Sequence, residues 1–125
     1  MWRECLVMGS VALLVGCKST TAPSCSGTCV TIQDFSFSPS TLTIKAGTTV
    51  TWTNAGPSSH TATSDSSVWD SGTLAPPSGG GAYGGGTAGG SFRFTFNTAG
   101  TYPYHCKIHL PSSYPGFTGT ITVMP

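Results

Sequence analysis

Charge is what this chain has least of. Lys and Arg together number 5 and Asp and Glu 4, for a formal net charge of +1. No basic surface is available to neutralise a phosphate backbone, which excludes nucleic acid as a partner. Long apolar runs are missing as well. The stretch from Leu6 to Val15 has the length of a signal-peptide core and is too short for a membrane span. Beyond it no segment carries a helical period. Glycine is plentiful, at 17 residues, but the Pro- and Gly-rich stretch from Ala75 to Gly90 is followed by no helix. No lysine or serine sits where a phosphate-binding loop requires it. Its one large side chain is Tyr83, and its composition predicts a mobile surface loop over 75–90.

What is present favours extended structure. Threonine and serine are abundant, and the 38% hydrophobic content is clustered in short alternating runs. Phe35 and Phe37 alternate with polar residues, as do Leu42 and Ile44. Val50, Trp52 and Asn54 share one face of a run whose other face is Thr49, Thr51 and Thr53. Phe92, Phe94 and Phe96 repeat the pattern, and Ile121 and Val123 close it among threonines. Alternation with one apolar face means strands packed on a core from one side. Turn signals such as Ser38-Pro39-Ser40, Lys45-Ala46-Gly47 and Asn97-Thr98-Ala99-Gly100 separate the runs. Many short strands so spaced predict an all-β, Greek-key β-sandwich over 30–125.

The N-terminal part reads differently. Arg3 and the apolar run are followed by Leu14-Val15-Gly16-Cys17, which resembles the lipobox of bacterial lipoprotein signal peptides. That resemblance implies removal of residues 1–16 and lipid attachment to the Cys17 sulfur; a plain signal peptide and an uncleaved anchor are the alternatives. Several acyl chains on one residue would hold the protein stably at a membrane surface. Residues 17–29, built of Ser, Thr, Ala, Pro and Gly around the cysteines, read as a flexible tether. Cys25 and Cys29 lie close together within it, and in an exported protein a local disulfide is the natural reading. A second metal or redox site is the alternative, without a nearby histidine to support it.

The remaining cysteine stands in the most informative segment, Tyr102-Pro-Tyr-His-Cys-Lys-Ile-His109. Alternation places Tyr102, Tyr104 and Cys106 on one face of a strand, with Pro103 and His105 on the other. Cys106 then points inward at a strand end, and the following loop can return His109 to the same point. His60 lies far upstream, at the end of another strand run, and must reach the site from a neighbouring strand. Taken singly, a histidine or a buried cysteine is more often structural. One thiolate with two imidazoles, however, is the equatorial donor set of a trigonal blue-copper site. That set points to one-electron transfer and away from hydrolysis. With 3 histidines in all, the chain cannot also furnish a trinuclear cluster, which disfavours a multicopper oxidase.

The stretches Phe35-Ser-Phe-Ser-Pro39, Leu42-Thr-Ile-Lys-Ala-Gly47, Val50-Thr-Trp-Thr-Asn54, His60-Thr-Ala-Thr63, Trp69-Asp-Ser-Gly-Thr-Leu74, Phe92-Arg-Phe-Thr-Phe96, Gly100 to His109 and Gly119-Thr-Ile-Thr-Val123 together resemble the cupredoxin family. The likeness is greatest to small plastocyanin-like and amicyanin-like domains and covers nearly all of 30–125. It implies outer-sphere electron transfer with one copper ion bound by His60, Cys106 and His109, and no enzymatic activity. It also suggests that the Thr61 N–H donates to the Cys106 sulfur. At the axial position the chain departs from its relatives, which carry a methionine there. Anchoring on Gly119 puts Phe117 in that place; counting forward from Cys106 by the plastocyanin spacing gives Tyr114. Met124 falls beyond the last strand run. The expected site therefore has no thioether, with Phe117 over the axial face and the Ser59 carbonyl as a weak axial oxygen; Tyr114 as a phenolate donor is the alternative.

The partners implied are redox proteins in the periplasm or cell envelope and, through Cys17, the lipid bilayer. The chain is read as a monomer. A module that binds and delivers Cu(I) would use the same donors, and a metal-free structural sandwich is the remaining alternative.

Overall fold

The computed structural model describes residues 28–79 and 86–125. The signal segment 1–16, the lipidation site Cys17, most of the tether, Cys25, and Tyr83 in the glycine-rich loop lie outside the described residues. The elements are all strands: β1 (Thr28–Gln33), β2 (Ser36–Ser38), β3 (Thr41–Lys45), β4 (Thr48–Asn54), β5 (Thr63–Ser64), β6 (Ser91–Phe96), β7 (Gly100–His105) and β8 (Thr118–Met124). They form two four-stranded sheets, ordered β2-β1-β4-β6 and β3-β8-β7-β5. Within them β1 runs parallel to β4 and β3 parallel to β8, and every other pairing is antiparallel. The chain passes from one sheet to the other between β2 and β3 and returns between β3 and β4. The result is the all-β sandwich that the turn spacing predicts.

Alternation decides which faces meet. Val30 and Ile32 of β1, Val50, Trp52 and Asn54 of β4, and Gly119, Ile121 and Val123 of β8 are buried, while their neighbours are at least partly open to solvent. Each fully buried aliphatic side chain contributes about 1.5–3 kcal/mol relative to exposure. The middle of the core is aromatic. Trp52 lies 5.4 Å from Trp69 and 5.6 Å from Tyr104, ring centre to ring centre, and Trp69 lies 5.2 Å from Phe96. Tyr104 covers Gly119 so closely that a Cβ there would collide with its Cζ and its hydroxyl oxygen. Burial pushes the Tyr104 phenol up to about 12.

Two stretches differ from the sequence expectation. Strand β1 begins at Thr28, so Thr28 and Cys29 pair with Val50 and Thr51 where a tether was expected. Their polar character hid a strand held by backbone pairing. The glycine-rich stretch is anchored at its ends: Ser78 bridges Thr87, the Gly90 N–H donates to Ala75 O at 2.9 Å, and the Asn54 N–H donates to Gly90 O at 2.9 Å. Gly89 is pressed so tightly on the Asn54 carbonyl that no side chain fits there.

Candidate metal centre

The site forms where the loops after β4 and β7 meet. Asn54, the last residue of β4, is buried with its side chain fully satisfied. Its Nδ2 donates to Ser58 O at 2.8 Å and Leu74 O at 2.9 Å, and its Oδ1 accepts from the Gly56 N–H at 3.0 Å. One amide thus shapes the turn that leads to His60. His60 is then fixed by a two-way bridge with Leu74, its N–H donating at 3.1 Å and its carbonyl accepting at 2.7 Å. Cys106 follows directly on β7, whose last residue, His105, is paired with Thr63 on one side and Thr118 on the other. His109 is returned by the next turn.

These three side chains converge: the Cys106 Sγ lies 3.9 Å from His60 Nδ1 and 4.0 Å from His109 Nδ1, and all the donor atoms are within 4.8 Å of one another. With metal–sulfur and metal–nitrogen bonds of about 2.3 and 2.0 Å, a trigonal ion separates sulfur from nitrogen by about 3.7 Å. Both sulfur–nitrogen distances therefore suit one shared ion with little movement. Cys106 and His60 are fully buried, whereas His109 is half-buried. The sulfur accepts two backbone N–H groups, from Thr61 at 3.4 Å and His109 at 3.5 Å. The Thr61 hydroxyl braces the same corner, accepting from the Lys107 N–H at 2.9 Å and lying 2.8 Å from Thr63 Oγ1.

A residue that sequence reasoning missed completes this arrangement. Asp34, in the turn between β1 and β2, places Oδ1 2.7 Å from His60 Nε2. Its two oxygens also accept from Ser58, Oδ1 from the N–H at 3.2 Å and Oδ2 from the hydroxyl at 2.9 Å. Burial opposes its ionisation, but the hydrogen bonds from His60 and Ser58 outweigh it and hold the carboxyl below the usual carboxylate range. No periodicity or spacing in the sequence signals this contact across 26 residues.

Around the donors the packing is aromatic. Phe117 is fully buried, its ring edge-on to His60 at 5.0 Å and 6.5 Å from His109, with Phe37 behind it at 4.8 Å. Tyr114 meets the His109 ring edge-on at 5.1 Å and stacks on Phe35 at 4.3 Å. Phe35, at φ +126°, is held in a backbone conformation unusual for a side chain of its size. Ser59 is half-buried, directly before His60. Met124 closes β8 at its far end: Thr118 pairs with His105 beside the site, but Val123 pairs with Gly100. Six residues of strand, at about 3.3 Å each, separate Met124 from the site end, out of reach of an ion there. His105 turns to the opposite face of β7, where its Nδ1 lies 2.6 Å from Asp65 Oδ1.

Comparisons with known proteins agree with this geometry. Residues 25–124 match the family of copper binding proteins described as the plastocyanin/azurin family. A plastocyanin from Scenedesmus fuscus is 41% identical over 87 residues, which cover 70% of this chain and 85% of that protein. Among solved structures, a purple cupredoxin from Nitrosopumilus maritimus superposes with a TM-score of 0.57 at 26% identity, covering 78% of this chain and 99% of that one. An oxidised amicyanin variant does so with a TM-score of 0.61 at 23% identity, covering 82% and 86% of the two chains, a likeness of fold. The chain belongs to the copper-binding plastocyanin/azurin family.

Proposed function

We propose that this protein is a type 1 copper electron carrier in which His60, Cys106 and His109 hold the ion. The observation that carries this reading is the buried Cys106 sulfur facing Nδ1 of both histidines at 3.9 and 4.0 Å. Bound copper would supply a one-electron couple between Cu(I) and Cu(II). The chain's own residues set the conditions for it. The Thr61 and His109 N–H groups hold the sulfur in place and draw electron density from it. Complete burial of Cys106 and His60 keeps water off two of the three donors. His109 is the donor nearest solvent, and exposed Ile108 and Leu110 flank it in sequence, with Phe35 5.1 Å from its ring. We assign this apolar rim as the face through which electrons leave. So few charges favour a redox partner selected by apolar contact.

The axial face belongs in this account to Phe117, whose ring edge on His60 supports the assignment. Without a thioether, bound copper would lack a donor that favours Cu(II), and its reduction potential would be raised. The Ser59 carbonyl is the candidate weak axial oxygen. Tyr114 is the lesser candidate, since its ring is engaged with Phe35.

The protein exchanges electrons and has no substrate of its own. It is exported as a monomer, held to the membrane through lipid on Cys17, with 1–16 removed and the tether spacing the copper domain from the bilayer. Cys29 is disulfide-bonded, which supports pairing with Cys25 and an oxidising compartment. Voltammetry of the copper-loaded protein tests the function. A reversible one-electron wave with full retention of metal is expected; ready loss of Cu(I) to a thiol acceptor would indicate copper delivery instead.

A further inference from the structure

We infer that Asp34 is a positioning residue for the metal centre: its carboxylate fixes the proton of His60 on Nε2 and so commits Nδ1 to the ion. This rests on His60 acting as a ligand. The geometry is specific. Nδ1 is the nitrogen that faces Cys106, and Nε2, on the other side of the ring, lies 2.7 Å from Asp34 Oδ1. A carboxylate can only accept, so the shared proton sits on Nε2 and the Nδ1 lone pair is left free. A carboxylate behind the ring also makes the imidazole a stronger donor, and that favours Cu(II) over Cu(I).

The surroundings are arranged around this one contact. Ser58 donates to both carboxylate oxygens, from its N–H at 3.2 Å and its hydroxyl at 2.9 Å, which stops the group from rotating. Gly56 lets the loop before His60 close on the turn, since a Cβ there would meet both Asp34 N and Asp34 Oδ1 at 2.8 Å. The Ala55 N–H donates to Ile32 O at 2.8 Å and pins the same two segments together. The turn itself is tight, with the Phe35 N–H donating to Gln33 O at 2.9 Å, and it carries Phe35 at φ +126°. Strained backbone of this kind persists where the surrounding structure imposes it. Here the strain falls on the residue next to the carboxylate. Asp34 thereby opposes Phe117: one strengthens donation to the ion from behind His60, while the other withholds an axial donor.

The test compares the full-length wild-type protein with Asp34→Asn, Asp34→Ala and Asp34→Glu. Asparagine keeps the size of the side chain and can still accept from His60, so a change there reports the charge. Cu(II) affinity is expected to fall about 10- to 100-fold in Asp34→Asn. Cu(I) affinity falls less, so the reduction potential rises, and Asp34→Glu recovers part of the loss. A general loosening of the fold would weaken both oxidation states alike. In the metal-free wild-type protein, imidazole nitrogen-15 shifts should place the neutral His60 proton on Nε2, with both tautomers populated in Asp34→Ala. A wild-type proton on Nδ1 would overturn the inference, as would an unchanged ratio of Cu(II) to Cu(I) affinity in Asp34→Asn. If the wild-type protein itself shows no thiolate-to-copper band, the copper reading fails, and the metal-free spectra decide the role of Asp34 alone.

Discussion

Cys106 and Phe117 are both completely buried, and in the proposed site they would act in opposite ways. Cys106 brings a sulfur whose lone pairs are partly engaged by two N–H groups; Phe117 brings a ring that donates nothing. Restoring a thioether should therefore have a signed effect. Phe117→Met is expected to lower the reduction potential, measured by voltammetry, and an unchanged or higher value would remove Phe117 from the axial role. Tyr104 offers a second test. Its hydroxyl is buried with no hydrogen-bond partner among the described residues, a situation that costs about 1–3 kcal/mol. Tyr104→Phe should accordingly unfold in denaturant no more easily than wild type. A loss above about 1 kcal/mol would reveal a partner for the hydroxyl. At this scale the donors His60, Cys106 and His109 were legible in the sequence, because residue type and strand alternation both bear on them. Asp34 was not. A carboxylate in a hairpin turn looks like any solvated turn residue until tertiary packing carries His60 to it.

Among the elements, those with a strong period were the legible ones. β4 and β8 alternate cleanly, and their inward residues could be read from spacing alone. β5, at two residues, is too short to show a period, and β1 begins on Thr28 and Cys29, whose side chains are only half-buried. Asn54 looked like one more inward position of β4; its work of shaping the loop to His60 appears only once Ser58 and Leu74 are in place. Replacing it is expected to cost more than its size implies. Asn54→Ala removes the donor to the Ser58 carbonyl and the acceptor of the Gly56 N–H, leaves Leu74 O with the His60 N–H alone, and should destabilise by at least about 1–3 kcal/mol in chemical denaturation. Asn54→Asp should be worse, since a carboxylate has nothing to donate to either carbonyl. If Asn54→Asp matched wild type, this explanation of the loop would fail.

For the whole molecule, the shortage of charge noted first has a kinetic consequence. With Lys and Arg numbering 5 and Asp and Glu 4, no strong field is available to steer a partner towards His109. Electron exchange with a small neutral or weakly charged redox partner, followed by stopped flow, should change less than about threefold between low and physiological ionic strength. A steep dependence would point to a charged docking face elsewhere. The sandwich keeps two of the three donors away from water and leaves the third near the surface, an arrangement suited to passing electrons without exchanging ligands.

The identity of the site is tested most directly by the visible absorption and electron paramagnetic resonance spectra of the Cu(II)-loaded protein, with Cys106→Ser beside the wild type. An intense thiolate-to-copper band and a narrow copper hyperfine splitting, both lost in Cys106→Ser, are the predicted result. A colourless wild-type protein, or a spectrum that survives Cys106→Ser unchanged, would contradict it.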